Sequence, residues 1–388
     1  MTPANPADVP RRQLKEELFN RDKVAMIAAE LTTTSRTFDA SAFVSRVMSR
    51  LPELELKQRI SWIVDCLEVH LPADYRAAVD LLVRSLPAPN DPAQSDGNLG
   101  DFIYAPYAEF AARHGSTRQD LDFSLAALRE FTTRFSAEYA LRTFIADFPE
   151  DTRATLLDWA LDEHPHVRRL CSEGTRPLLP WATRLPTPAD YAMPLLDRLH
   201  ADRTRLVTRS VANHLNDISK LDAALALDTL RAWQHTGEGR GDELDYLVRH
   251  ATRSLLKRGD PRSIELLGLR ADAPVDISSL EIPEQVPLGS VLEFSLALLA
   301  REDTEVIADS VLYSPGTSGR LTIRRVYQLK RLRLSMGQPL TLTKRHRLRP
   351  GMTTLTIRPG QHELEVRLNG QPRARAAFRV TAATPAEA

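Results

Sequence analysis

Along this chain the spacing of apolar positions changes once. From about residue 11 to 269 it stays near 3.6, in segments such as DASAFVSRVMSRL, RISWIVDCLEVHL, RQDLDFSLAALREFTTRF and LDAALALDTLRAW, each bounded by Pro, Gly, Asp or Ser. Helices are predicted throughout that span. The stretch 87–101, rich in Pro, Asn, Asp and Gly, interrupts them as a long loop. After Gly268-Leu269 a Pro-rich connector leads into period-two spacing at Leu292, Phe294, Leu296 and Leu298, at Leu321 and Ile323, at Leu355 and Ile357, and at Leu364, Val366 and Leu368. Turn signals fall between these runs at Ser314-Pro315-Gly316, Pro359-Gly360 and Asn369-Gly370, the last a strong hairpin signal. The alternation predicts a β-sandwich.

A weak repeat organises the helices. Val167-Arg168-Arg169-Leu170 aligns with Val207-Thr208-Arg209-Ser210 and Val248-Arg249-His250-Ala251 at steps of 40 and 41 residues, the period of HEAT-type helix pairs. In such a solenoid corresponding positions of successive second helices fall in a row. Arg169, Arg209 and His250 are therefore expected as a polar stripe on the concave face, flanked by Arg168 and Arg249 and suited to an anion. The expected fold is an all-α HEAT-like solenoid over 1–270, a small all-β sandwich over 271–381 and a tail at 382–388.

Composition adds little until it is localised. With 388 residues, 43% hydrophobic and 26% charged, the chain fits two ordinary domains and excludes a disordered class. Lys and Arg number 51, as do Asp and Glu, so total charge indicates neither nucleic acid nor membrane. Between Arg320 and Arg379, however, fifteen Lys/Arg face only Glu363 and Glu365. That excess, with Lys344, Arg345, Arg347 and Arg349 clustered within it, points to a polyanion. Few aromatics are interleaved, which favours duplex backbone over stacked single strand. Cys66 and Cys171 lie in apolar helical pattern, which argues against a disulfide framework or thiolate metal site. The histidines lack metal-ligand spacing, so no metal and no organic cofactor are expected. No signal-like or membrane-length apolar run occurs, and a soluble, cytoplasmic protein is expected.

The stretch His164 to Trp181, HPHVRRLCSEGTRPLLPW, gathers the most chemistry. Its first half predicts a helix with Val167 and Leu170 inward and Arg168, Arg169 and Glu173 on the other side. Its second half, opened by Gly174 and stopped by Pro177 and Pro180, predicts an ordered loop presenting Trp181. A carboxylate near a helix C-terminus is unfavourable with the macrodipole, which marks Glu173 as more than a surface charge. Glu138 could alternatively cap the helix after Ser136, and Asp217 could simply end a helix in a turn.

These residues also carry a resemblance. SEGTRPLLPW with the preceding HVRR, the block Val211 to Lys220 (VANHLNDISK), and the run Phe135 to Ala140 (FSAEYA) resemble the HEAT-like-repeat DNA alkylation repair glycosylases, in particular the AlkC branch with an appended immunoglobulin-like domain. The likeness spans about Leu14 to Val380. Where that family commonly has an Ile-Arg-Pro step, this chain has Leu141-Arg142-Thr143, so a straighter helix after Glu138 is expected.

The resemblance implies a monofunctional N-glycosylase that removes cationic alkylated bases, 3-methyladenine or 3-methylcytosine, from duplex DNA without fully flipping them. Such a base is already a good leaving group. What remains is to stabilise an oxocarbenium-like sugar and place a water, tasks suited to fixed carboxylates. Glu138, Glu173 and Asp217 are the catalytic candidates, with Trp181 offering its π face to a cation. DNA-binding candidates are Arg168, Arg169, Arg176, Arg209, His214, Arg249 and His250 in the solenoid and Lys344, Arg345, Arg347 and Arg349 in the sandwich. The implied partner is double-stranded DNA containing alkylated bases, met by a monomer and without a membrane. No lysine stands out as a Schiff-base nucleophile. Two alternatives stay open at this point: a non-catalytic HEAT-repeat DNA-binding protein, and a scaffold whose basic sandwich meets an acidic protein.

Overall fold

A computed structural model of the chain describes residues 13–91, 99–316, 320–348 and 357–382. Arg349, Leu355, the side chain of Ile323 and nearly all of the tail lie outside the described residues. The chain divides into two compact units, one of Met1–Asp222 with Trp233–Ala251, the other of Ala223–Ala232 with Thr252–Ala388.

The first unit is helical. Its last helix pairs carry the repeat: the aligned Val167 and Val207 are each the third residue of the Pro165–Glu173 and Arg205–Leu221 helices, Val248 lies further along the Gly241–Arg258 helix, and all three are buried. A recurring polar device staples successive pairs. Asp162 and Asp202 each accept the backbone N–H two residues on, of His164 and Thr204, at 2.8 Å. Each also accepts an arginine from a preceding helix, Arg129 to Asp162 at 2.6 Å and Arg168 to Asp202 at 2.6 Å. Arg205 continues the series with Glu243 at 2.6 Å. The same carboxylate thus starts one helix and anchors another, so register between pairs is set by charge as well as by apolar packing.

In the second unit two sheets enclose one core. One has the order β1 (Val275–Glu281), β3 (Val291–Ala300), β6 (Pro339–Arg347). The other has the order β2 (Gln285–Pro287), β8 (Gln371–Thr381), β7 (Gly360–Leu368), β4 (Thr304–Pro315), β5 (Leu321–Leu334). All pairs are antiparallel except β2 with β8. The alternation read from the sequence is visible as burial: Leu292, Phe294, Leu296 and Leu298 on β3, and Leu364, Val366 and Leu368 on β7, all face the core. The β7–β8 turn is made by Asn369 and Gly370, with φ of 45° and 74°, the left-handed pair a tight hairpin needs. A Cβ on Gly370 would lie 2.5 Å from Gly259 Cα, so the tip packs backbone against backbone. The period change falls near residue 270, yet helical residues from 252 onward group with the sheets. Ile264 and Leu269 share an apolar cluster with Ile307 of β4, with Leu256 and Leu267 packed against it.

Candidate functional site

Three helices and the loop after one of them bring three carboxylates and two arginines into one line. Glu138 opens the Glu138–Asp147 helix and accepts Ser136 Oγ at 2.8 Å and both Nη atoms of Arg169 at 3.2 Å. Arg169, on the Pro165–Glu173 helix, also lies 3.7 Å from Glu173 Oε2, one turn on. Glu173 takes Arg176 Nη1 at 2.5 Å and Ser210 Oγ at 2.5 Å. Arg176 then turns its Nε and Nη2 to Asp217 at 2.9 and 2.8 Å, and Lys220 Nζ reaches the other Asp217 oxygen at 3.0 Å. The order Glu138, Arg169, Glu173, Arg176, Asp217 is an alternating ladder. Asp217 sits inside the Arg205–Leu221 helix, not at its end, because that helix continues for one more turn.

Burial gives the ladder its character. Side-chain exposure falls from 15% at Glu138 to 7% at Glu173 and 2% at Asp217, so the line runs from an open end to a closed one. Burial by itself would raise the Glu173 carboxyl, but Arg169 and Arg176 beside it and the Ser210 hydroxyl hold it below the ordinary value. Burial likewise opposes the Arg176 cation, while Glu173 and Asp217 more than restore it. His214 is fully enclosed, with Nδ1 on the Ser172 carbonyl at 2.9 Å, and burial lowers its pKa to about 3. It is a neutral part of the frame.

The loop after the ladder ends in an unusual residue. Trp181 is 73% exposed and has a φ of 62°, a left-handed backbone that bulky residues rarely adopt. Tyr139 Oη donates to the Pro180 carbonyl at 2.9 Å, and Lys57 Nζ to the Trp181 carbonyl. Arg142 donates to the carbonyls of Gly174 at 3.0 Å, Arg176 at 2.8 Å and Thr183 at 2.6 Å. Sequence reasoning does not single Arg142 out beyond its Leu-Arg-Thr context. Its place in the same helix that starts with Glu138, on the face occupied by Tyr139, is the signal that could have found it. Beneath Trp181 lies an apolar cavity of about 230 Å³, lined by residues including Ile60, Phe102, Ala105, Ala108 and Ala140. The three ladder carboxylates do not line it.

Comparison with known proteins bears on this site. The structure superposes on the Pseudomonas fluorescens alkylpurine DNA glycosylase AlkC, bound to DNA containing an abasic site analog, with a TM-score of 0.85. The two chains are 32% identical over 95% of this chain and 99% of that one. This chain belongs to the AlkC family. A family model for the C-terminal Ig-like domain of the uncharacterised protein YhaZ matches residues 276–382. The Bacillus subtilis YhaZ protein is 27% identical over 361 residues, 92% of this chain and 96% of its own length.

In this AlkC-family chain the basic residues singled out from the sequence fall into two kinds. Arg168, Arg169, Arg176 and His214 are buried, not displayed. Arg168 is bound to Asp202 and to the carbonyls of Asp162 and Glu163, and all nine residues of its helix are covered. The expected polar side of that helix exists, but it faces carboxylates on neighbouring helices and the turns between them rather than solvent. Arg209 and His250 are half-buried, His250 being 2.9 Å from Asn213 Oδ1 and stacked on Tyr246, while Arg249 is exposed. The stripe is thus graded, with its ladder end internal. Among the described residues no group of three His, Cys, Asp or Glu is placed to hold a metal ion, and no helix is long and apolar enough to cross a membrane.

Half of the basic residues in the sandwich of this AlkC-family chain lie on two outer strands, β5 and β6. Counted over 271–382, sixteen Lys/Arg face eleven Asp/Glu, a smaller imbalance than residues 320–379 suggest. Some of the acids sit across a strand: Glu293 takes Arg345 at 2.5 Å, and Glu305 takes Arg331 at 2.5 Å. Lys344 and Arg347 on β6, with Arg325 and Lys330 on β5, have no ion pair among the described residues. β5 and β6 are the outer strands of their sheets, and Tyr327 of one stacks on His346 of the other at 4.3 Å. The positive residues therefore share one side of the sandwich.

Proposed function

We propose that this protein is a monofunctional DNA N-glycosylase that releases cationic N3-alkylated bases from duplex DNA, leaving an abasic sugar. The observation that carries the reading is the Glu138, Arg169, Glu173, Arg176, Asp217 ladder beside an exposed Trp181. A base methylated at N3 leaves as a neutral molecule, taking the electron pair of the glycosidic bond. The developing charge is positive and sits on the sugar. Carboxylates fixed in place by ion pairs to arginines stabilise such a charge without reorganising. Glu138, the most open of them, is the group to accept the proton of the attacking water. Glu173 and Asp217 supply field from behind it. The Trp181 face adds attraction to a cation of about 0.5–2 kcal/mol.

Two lysines of the helical unit support the monofunctional reading. Lys220 is engaged by Asp217 and Lys57 by a backbone carbonyl, so neither is presented as a free amine for a Schiff base. The carboxylates lie outside the lining of the cavity below Trp181, which supports a reading in which the base is released without being swung fully into a pocket. The groups meeting phosphate are Arg209, Arg249 and His250 in the helical unit and Lys344, Arg345, Arg347 and Arg349 in the sandwich.

The test is incubation of the protein with methylated duplex DNA and chromatography of the released bases. Free 3-methyladenine or 3-methylcytosine, with strand breaks appearing only after alkali, is expected. Salt-sensitive duplex binding with no released base would replace the enzyme by a DNA-binding protein.

A further inference from the structure

We infer that Arg142, Tyr139 and Lys57 are positioning residues for Trp181, forming a clamp that holds its backbone in the left-handed conformation and aims the ring outward. This rests on the glycosylase reading for its consequence, though not for its geometry. Trp181 carries a backbone arrangement that costs energy for any residue with a Cβ and persists only where neighbours over-determine it. The exposed ring does not determine it, since 73% of the residue is open to solvent. The backbone does. Consecutive carbonyls at Pro180 and Trp181 accept from Tyr139 and Lys57, and Thr183 two residues later accepts from Arg142.

The donors come from two helices that flank the cavity under the loop. Tyr139 and Arg142 are three residues apart on the Glu138–Asp147 helix and so share a face. Lys57 is in the first turn of the Leu56–His70 helix and lies 5.6 Å from the Tyr139 ring centre, which fixes the two donors relative to each other. Arg142 is buried, and it bonds to carbonyls rather than to a carboxylate. Burial lowers its pKa, with Arg176 adding to the effect. A charged group retained at that cost, with its donors spread over the loop's start and end, has a shape role. The clamp also begins beside Glu138, so the ring and the open end of the ladder are set by one helix.

Tyr139→Phe is the cleanest probe, since it removes one donor and keeps the ring under Lys57. Single-turnover base release should fall roughly five-fold, the effect of one hydrogen bond, with duplex affinity unchanged. In a Trp181→Ala background the same substitution should change nothing further, because its effect passes through the ring. Independently of activity, 19F NMR of 5-fluorotryptophan-labelled protein should show the Trp181 line shifting or broadening in Tyr139→Phe and Arg142→Lys while Trp62, Trp159 and Trp233 stay in place. An unmoved Trp181 line in both variants would overturn the clamp whether or not the protein proves to be a glycosylase. So would an undiminished effect of Tyr139→Phe in the Trp181→Ala background.

Discussion

Arg176 and Asp217 meet at 2.8 Å across forty-one residues of chain, one repeat of the helix-pair period. The solenoid therefore lays equivalent turns of neighbouring helices side by side, and a loop arginine and a mid-helix aspartate become a buried pair. Because Arg176 also holds Glu173, the pair is one half of a bridge between two acids that would otherwise repel.

The carboxylates set the rate under this reading. Glu173→Gln and Asp217→Asn should each slow single-turnover base release by roughly 100- to 1,000-fold, the scale for removing one preorganised electrostatic group. Duplex affinity should stay equal or improve, because a negative charge near phosphate is removed. Unchanged release in both variants, with thermal melts like the parent, would reject their role in the transition state.

Arg176 is predicted to matter for stability as much as for chemistry. Arg176→Met leaves Glu173 and Asp217 buried with less compensation, a situation that costs roughly 3–5 kcal/mol. Arg176→Lys keeps the charge but replaces a fork with a single point, so it cannot span both acids and should recover only part of the loss. Urea denaturation of the three proteins measures this. Equal midpoints would mean that the ladder is relaxed rather than taut.

Acid sensitivity should come in two stages. His214 is enclosed and neutral, its pKa lowered from 6.5 to about 3 by burial, with Arg176 and Arg142 opposing its charge and Glu173 favouring it. The unfolded chain binds a proton that the folded one refuses, so stability falls as pH drops below about 6.5. Glu173 works lower down. Its folded value lies below 4.5, so its contribution is present above pH 4.5 and is lost as pH falls through the folded value. His214→Asn, which keeps a donor for the Ser172 carbonyl, should flatten stability against pH from about 6.5 downward while leaving the Glu173 contribution below 4.5 in place. A slope unaltered in that variant would assign the upper stage to other groups, His166 first, whose pKa burial lowers to about 4.

Much of this architecture is readable as spacing. Val167, Val207 and Val248 align by sequence alone and are all buried, because a repeat buries corresponding apolar positions each time. The Asn369-Gly370 hairpin is readable because two left-handed residues are a local demand. What spacing does not show is the direction of charged side chains. Arg168 and Arg169 occupy positions that period alone leaves polar, and the carboxylates of Asp202 and Glu138, brought from elsewhere in the chain, help make their burial tolerable. Arg142 shows only by its place one turn after Glu138, since its partners are backbone carbonyls that have no sequence signature of their own.

The basic edges of the sandwich are best tested by substitution, because a cut at 270 would remove the sheets that Ile264 and Leu269 pack against. Lys344→Gln with Arg347→Gln on β6, and Arg325→Gln with Lys330→Gln on β5, neutralise residues with no ion pair among the described residues. If these edges grip DNA, affinity should drop and the slope of log K against log salt should shrink by roughly 0.9 for each phosphate no longer neutralised. Arg345→Gln, whose parent residue is held by Glu293, should do less than either lone cation beside it. Base release at saturating enzyme should be unaffected throughout, since Glu138, Glu173, Asp217 and Trp181 all belong to the helical unit. If affinity and salt slope both stay at the parent values in the fourfold variant, these residues do not touch DNA. An acidic protein surface would then be the better account of why one side of the sandwich is kept positive.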